Sequence, residues 1–204
     1  MAKISISNVE VLENPAKFSS KFKFKVTFEC LESLEDDLEW KLIYVSSAYN
    51  ADLDQVLDSV LVGPIPVGRH EFVLDTDAPD PAKIPVDDIV GVTVVLLEAF
   101  YKDQEFVRIG YFVSNEYEKE EMRDEPPAEP IISELKRHII ESDPRITRFA
   151  INWGYEGEIV TEVSAEGDED ETENKENEQE TSTENVIVQK TEDKMEEVKD
   201  DKSS

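Results

Sequence analysis

Apolar and polar residues alternate with period two along much of this chain. Phe22, Phe24, Val26, Phe28 and Cys30 are separated by Lys23, Lys25, Thr27 and Glu29. Successive side chains of a strand point to opposite faces, so this spacing predicts a half-buried antiparallel strand with one wet face. Leu38, Trp40, Leu42 and Tyr44 repeat in the same way, and Ile4, Ile6, Val9 and Val11 alternate imperfectly around Asn8. Further strands are expected over residues 56–62, 69–74, 90–101, 105–113 and 145–153. Gly63-Pro64-Ile65-Pro66 and Asp77-Ala78-Pro79-Asp80-Pro81 break the pattern between them, and Lys102-Asp103-Gln104 is short enough to join a hairpin. One late stretch has helical spacing: Ile131, Leu135, His138 and Ile139, after Pro126, Pro127 and Pro130. It predicts a short late helix that caps the sheets. About eight strands with turn signals between them, and no alternation with helices, predict an all-β sandwich.

One pair of strands breaks the one-wet-face rule. Val92, Val94 and Leu96 fall on one face of the 90–101 strand, and Val95 and Leu97 on the other. Its expected partner places Phe106, Gly110 and Phe112 on one face, and Val107, Ile109, Tyr111 and Val113 on the other. A two-layer sandwich buries only one face of each sheet. The second apolar face is therefore either covered by a loop or helix, or is an exposed patch for a partner. Arg108, a charge within the apolar stripe, favours an interface.

Composition divides the 204 residues into two parts. The chain carries 49 acidic and 21 basic residues, a formal charge of −28. Residues 1–155 hold 30 acids and 16 bases, whereas residues 156–204 hold 19 acids and 5 bases and no Phe, Trp or Tyr. The second part cannot bury enough apolar surface to offset its ordering entropy. It is expected to be a disordered acidic tail after a folded domain spanning 1–155. The charge excludes a duplex-DNA binder with a basic face and favours a basic partner. The single cysteine, Cys30, cannot form an internal disulfide. No signal-peptide pattern opens the chain, and the longest apolar run is far too short to span a membrane. A reducing compartment, cytosol or nucleus, is expected.

Catalytic signals are lacking. There is no nucleophile elbow, no phosphate-binding glycine loop and no Cys-x-x-Cys, and His70 and His138 lack metal-ligand spacing. Asp36-Asp37 and Asp87-Asp88 are carboxylate pairs, which in turns are ordinarily solvated. The acidic run 35–39 beside an apolar strand start is either such a turn or a dock for a basic peptide adding as an edge strand. In the tail, Val186-Ile187-Val188 is a β-prone run, and Thr181-Ser182-Thr183-Glu184 suits an acid-directed kinase.

Several long stretches in order carry a resemblance: Thr27-Phe-Glu-Cys, Asp36-Asp-Leu-Glu-Trp-Lys, Asp54-Gln-Val-Leu-Asp-Ser-Val-Leu-Val-Gly-Pro, Val90-Gly-Val-Thr-Val, Gln104-Glu-Phe-Val-Arg, Asn115-Glu-Tyr and Pro144-Arg-Ile-Thr-Arg-Phe. From about Met1 to Trp153 the chain resembles the anti-silencing function family of histone chaperones, which bind the histone H3–H4 dimer. The resemblance implies an immunoglobulin-like β-sandwich whose exposed apolar face takes the C-terminal helix of histone H3. Val94 would be the centre of that face, with Val45, Val92, Leu96, Arg108 and Phe112 around it and Asp54 and Asp88 as acidic contacts. It implies capture of the histone H4 C-terminal tail by strand addition, with Ile6, Pro144, Arg145 and Ile146. On the opposite side it implies a site for basic B-domain peptides of HIRA-type and chromatin-assembly-factor chaperones, with Asp36, Asp37, Val62 and Phe72. It further implies no enzymatic activity, no cofactor or metal, no direct contact with nucleic acid or membrane, and a monomer when free. The expected setting is nuclear with a possible cytosolic pool, and the expected roles are nucleosome assembly and disassembly and transcription regulation. The chain departs from the family's usual residues at Asp36, Ser46, Phe112 and Glu98-Ala99-Phe100. The rival reading is an immunoglobulin-like adaptor that binds an unrelated basic peptide through Asp36-Asp37.

Overall fold

The computed structural model describes residues 2–154, together with the backbone of Val163–Ser164. Among the described residues there are eleven strands: β1 Ile4–Leu12, β2 Ala16–Lys17, β3 Phe22–Cys30, β4 Leu38–Tyr44, β5 Gln55–Val62, β6 Gly68–Thr76, β7 Gly91–Tyr101, β8 Gln104–Tyr117, β9 Leu135–Ile139, β10 Arg145–Phe149 and β11 Val163–Ser164. Two short helices accompany them, α1 Val86–Ile89 and α2 Glu120–Asp124.

The strands form two antiparallel sheets. One has the order β1-β3-β6, and the other runs β11-β10-β8-β7-β4-β5. β9 pairs with the far half of β8 and with β2. The period-two residues of β3 face those of β4, β7 and β8 across the interior. Phe24 meets Tyr111, Phe28 meets Trp40 and Phe22 meets Tyr44, with ring centroids 5.7, 6.0 and 6.4 Å apart. Trp40, Leu42, Val95 and Leu97 are fully buried. This is the sandwich that the alternation predicts, and burying these rings is its main stabilisation.

Local irregularities have local causes. The imperfect alternation around Asn8 is a register shift between Ile6 and Asn8 where β1 pairs with β3. The β7–β8 hairpin turns on Lys102 and Asp103, with φ of 51° and 61°. Positive φ at two successive positions gives the turn whose twist matches the flanking strands. The expected strand 145–153 ends at Phe149, after which Trp153 packs against Tyr101 and Phe106.

The late helix is corrected in position. A short helix does occur late, at Glu120–Asp124, but residues 131–139 are not helical. Ile132–Glu134 is a single 3-10 turn and 135–139 is strand β9. Leu135, Arg137 and Ile139 are buried and Lys136 and His138 are exposed, so the operative period is two. Arg137 hid that period because a charged residue occupies an inward position. Its guanidinium lies 3.6 Å from the centre of the Phe22 ring and donates to the carbonyls of Phe18, Ser20 and Lys21. Burial pulls its pKa down to about 10.

Within the segment expected as tail, β11 pairs Val163 with Phe149 and Ser164 with Arg148. Otherwise the tail expectation, including residues 181–184 and 186–188, falls outside the described residues.

Candidate functional site

The outward face of β7 and β8 is uncovered among the described residues. Val92 is 69% exposed and Phe112 37%, whereas Val94 and Leu96 are half-buried. In register, Val94 opposes Phe112, Leu96 opposes Gly110 and Glu98 opposes Arg108. These rows form a shallow groove across two strands. A cavity of about 140 Å³ lies over Val94, Leu96, Gly110 and Phe112 and is closed by Arg108, Arg145 and Thr147. Gly110 makes it concave: a Cβ there would lie 3.4 Å from Leu96 Cδ2 and 3.7 Å from Val94 Cγ1. A side chain at 110 would project into the groove from between two of its walls.

Val45 joins the groove because the β4–β7 pairing continues one step past Tyr44. Val45 N–H donates to the Val94 carbonyl at 3.0 Å, and Thr93 Oγ1 donates to the Val45 carbonyl at 2.5 Å. A second cleft of about 310 Å³ opens here, lined by Val45, Ser46, Asp87, Asp88, Val92, Val94 and Phe112. Asp88 stands on α1, whose first turn also carries Asp87. Asp54 follows the 3-10 turn Ala51–Leu53 and donates its N–H to the Ala51 carbonyl at 3.1 Å. Burial pushes the Asp54 carboxyl up, opposed by a hydrogen bond from the Ser46 backbone. Its Oδ1 is buried without a hydrogen-bond partner. Gln55 ties these loops together, donating to Ser46 Oγ at 3.0 Å and to the Asp80 carbonyl at 3.1 Å. Val45, Asp88, Val92, Leu96, Arg108 and Phe112 therefore line one surface with Val94, acidic at one end and apolar in the middle, whereas Asp54 lines neither cleft and stands beside Ser46.

The other end is built differently from expectation. Arg108 does not stand alone: its Nε lies 2.9 Å from Glu98 and 2.8 Å from Glu105, and its Nη2 donates to Glu105 at 2.9 Å. Glu98 is 5% exposed. Burial pushes its carboxyl up, and the charge of Arg108 opposes the shift. Only the departure Glu98-Ala99-Phe100 from the family's usual residues signalled it in the sequence.

The remaining expected residues are more scattered. Ile6 lines a cavity of about 320 Å³ with Ile4, Phe106, Phe149 and Trp153, and the lining does not include Pro144 or Ile146. Ile146 is 44% exposed on β10, and Arg145 belongs to the Val94 groove. Across the molecule, Asp36 lies 3.0 Å from Lys102. Asp37 packs on Gly63, where an added Cβ would fall 1.7 Å from Asp37 Oδ1, so Asp37 adjoins Val62 at the end of β5. Phe72 is half-buried on β6, 5.2 Å from the Trp40 ring.

Cys30 is a core residue whose thiol is pushed up by burial, and His70 Nε2–H donates to the Pro66 carbonyl while the ring stacks on Phe28. Among the described residues no group of three or more side chains could hold a metal ion, and no helix is long and apolar enough to cross a membrane.

Residues 1–154 match the family described as ASF1 like histone chaperone. The chain is 59% identical over 153 residues to histone chaperone ASF1B of Homo sapiens, covering 75% of this chain and 76% of that protein. The Mus musculus ASF1B gives the same figures. Histone chaperone asf1 of Drosophila melanogaster is 56% identical over 155 residues, 76% of this chain and 71% of the relative.

Proposed function

The chain belongs to the ASF1-like histone chaperone family and is a histone chaperone rather than an enzyme, and from that premise we propose that it binds the histone H3–H4 dimer through the β7–β8 groove. The observation that carries the proposal is an apolar groove, uncovered among the described residues and with acids at its rim, on a chain whose charge is −28. An amphipathic helix laid in such a groove buries its apolar face on Val94, Leu96 and Phe112. The C-terminal helix of histone H3 is the occupant, with Asp54 and Asp88 meeting its basic residues. Covering that helix blocks two H3–H4 dimers from joining into a tetramer. The acidic surface screens the histones' charge against non-specific DNA contacts.

Ile6, Pro144, Arg145 and Ile146 take the histone H4 tail by strand addition. Among the described residues, β10 is paired by β11 only at Arg148 and Phe149, which leaves 145–147 open on that edge. Asp36, Asp37, Val62 and Phe72 take basic B-domain peptides of HIRA-type and chromatin-assembly-factor chaperones, to which histones are passed for nucleosome assembly and disassembly. An arriving cation there must displace or share Lys102. The folded domain spans 1–155 with β11 as a short strand added to its edge, and residues 156–204 otherwise serve as an acidic tail. The protein acts in the nucleus, as a monomer when free.

The test is a calorimetric titration of the full chain with H3–H4, wild type beside Val94→Arg. Burying an unpaired guanidinium only in the complex costs about 3–5 kcal/mol, so binding by the mutant should be lost while its fold and melting temperature stay intact. Equal binding by a folded mutant would favour the peptide-adaptor reading.

A further inference from the structure

Glu98 lies on the outward face of β7, where the sheet is otherwise open, yet it is almost fully buried. Its cross-strand neighbours are both cations, Lys41 on β4 and Arg108 on β8. The cover comes from long side chains lying flat over aromatic rings. Lys41 Nζ sits 4.3 Å from the centre of the Phe100 ring, and the Arg108 guanidinium 5.8 Å from that of Phe149.

Two carboxylates hold Arg108 in different directions. Glu105 receives both Nε and Nη2, a bidentate pair that fixes the plane of the guanidinium. Glu105 sits three residues nearer the hairpin turn on the same strand, so by itself it draws the guanidinium along β8, away from the groove. Glu98 opposes that pull from across the strand pair, through Nε at 2.9 Å. Nη1 makes no hydrogen bond among the described residues, so both of its N–H groups are left for an incoming molecule.

We propose that Glu98 is a positioning residue for partner binding, holding Arg108 at the end of the groove so that Nη1 meets a hydrogen-bond acceptor on the docked helix. The proposal rests on the histone-docking reading above. Arginine only donates, so the acceptor is a carboxylate or a free carbonyl at a helix C-terminus. From Val94 to Glu98 is four strand residues, about 13 Å. For a helix lying along the strands, that places the acceptor about nine positions from the apolar residue seated on Val94. The gain is preorganisation: a guanidinium already fixed loses less freedom when the partner arrives.

The experiment is a double-mutant cycle on the full chain, with purified H3–H4 titrated by calorimetry into wild type, Glu98→Gln, Arg108→Gln and the double variant. Glu98→Gln should bind about five- to tenfold more weakly, and the double variant no more weakly than Arg108→Gln alone. In ¹⁵N spectra of the free proteins, the Arg108 Nε–H resonance, still bonded to Glu105, should shift measurably between wild type and Glu98→Gln because the carboxylate 2.9 Å from Nε is neutralised. A loss of the same size in the Arg108→Gln background overturns the proposal, as does unchanged affinity or an unmoved resonance. Should Glu98→Gln unfold, Glu98→Thr, smaller and uncharged, carries the same expectations. Failure of wild type to bind H3–H4 overturns both readings, whereas failure of the cycle alone leaves the docking reading standing.

Discussion

Replacing Gly110 with leucine should separate binding from folding. Gly110 lies in the middle of β8, opposite Leu96, and its φ is not in the left-handed region, so a side chain is compatible with the backbone. The new Cβ would meet Leu96 Cδ2 at 3.4 Å, Val94 Cγ1 at 3.7 Å and the Arg145 carbonyl at 3.8 Å. The tightest of these is the free end of a flexible side chain, which gives by a few tenths of an ångström. In a strand interior glycine costs roughly 0.5–1 kcal/mol relative to alanine, so the free protein should hold its stability or gain slightly. The remaining three carbons of leucine enter the cavity of about 140 Å³ between Val94 and Arg108. A helix seated there must then lift or repack, and overpacking of this kind costs about 1–3 kcal/mol. Affinity for H3–H4 should fall roughly 5- to 150-fold by calorimetry, while the urea midpoint stays or rises. Gly110→Ala should show the same opposition at smaller amplitude. A folded Gly110→Leu protein that binds within twofold of wild type would refute the reasoning, because the groove floor would then not be where the partner sits.

Other predictions follow from single contacts. Burial holds the Asp54 carboxyl above its usual 3.8, and a cationic partner favours its charged form. Affinity for H3–H4 should therefore rise with pH as this group ionises and then level off, and Asp54→Asn should flatten the rise; a slope unchanged by the substitution would assign it elsewhere. Arg137→Met leaves the Phe18, Ser20 and Lys21 carbonyls without their donor, and the urea midpoint should drop by the equivalent of about 3 kcal/mol, with a near-zero loss counting against the role given to this buried cation. Lys102→Gln frees Asp36 and should strengthen binding of a basic B-domain peptide about two- to fivefold by fluorescence anisotropy; weaker binding would mean that Lys102 contacts the peptide. Truncation after residue 155 should leave H3–H4 affinity nearly unchanged at moderate salt, whereas a loss that fades as salt is added would show that the tail touches histones.

Period-two spacing in β3, β4, β7 and β8 was enough to place the core strands and to divide each into an inner and an outer set. Val95, Leu97, Ile109 and Tyr111 are buried, as that division requires. It was also enough to mark the second apolar face of β7 as an anomaly, and several long motifs in order within one chain tied it to a family. It was not enough to tell a covered face from an open one, because periodicity counts faces and carries no information about what lies on them. The helical misplacement over 131–139 has a similar origin. Ile131, Leu135, His138 and Ile139 satisfy a helical spacing, but the Arg137 guanidinium finds three carbonyls and a ring, and with an inward charge permitted the strand pattern wins. Alternation also fails at Phe106, which is buried from the outward set because the β7–β8 register shifts between Ala99 and Phe100 and the ring packs on Trp153.

The sequence by itself determined which residues are apolar on both sides of a strand, where the chain turns, and that the excess charge is acidic. These are local properties, fixed by the chemistry of neighbours within a few positions. Only the tertiary structure decided that no other described residue covers the face of Val92, Val94 and Phe112, that Gly110 hollows it, and that Glu98 and Glu105 converge on Arg108 from two strands. Those facts depend on which strands become neighbours and in what register, and a one-residue shift in pairing would place Glu98 beside a different partner altogether.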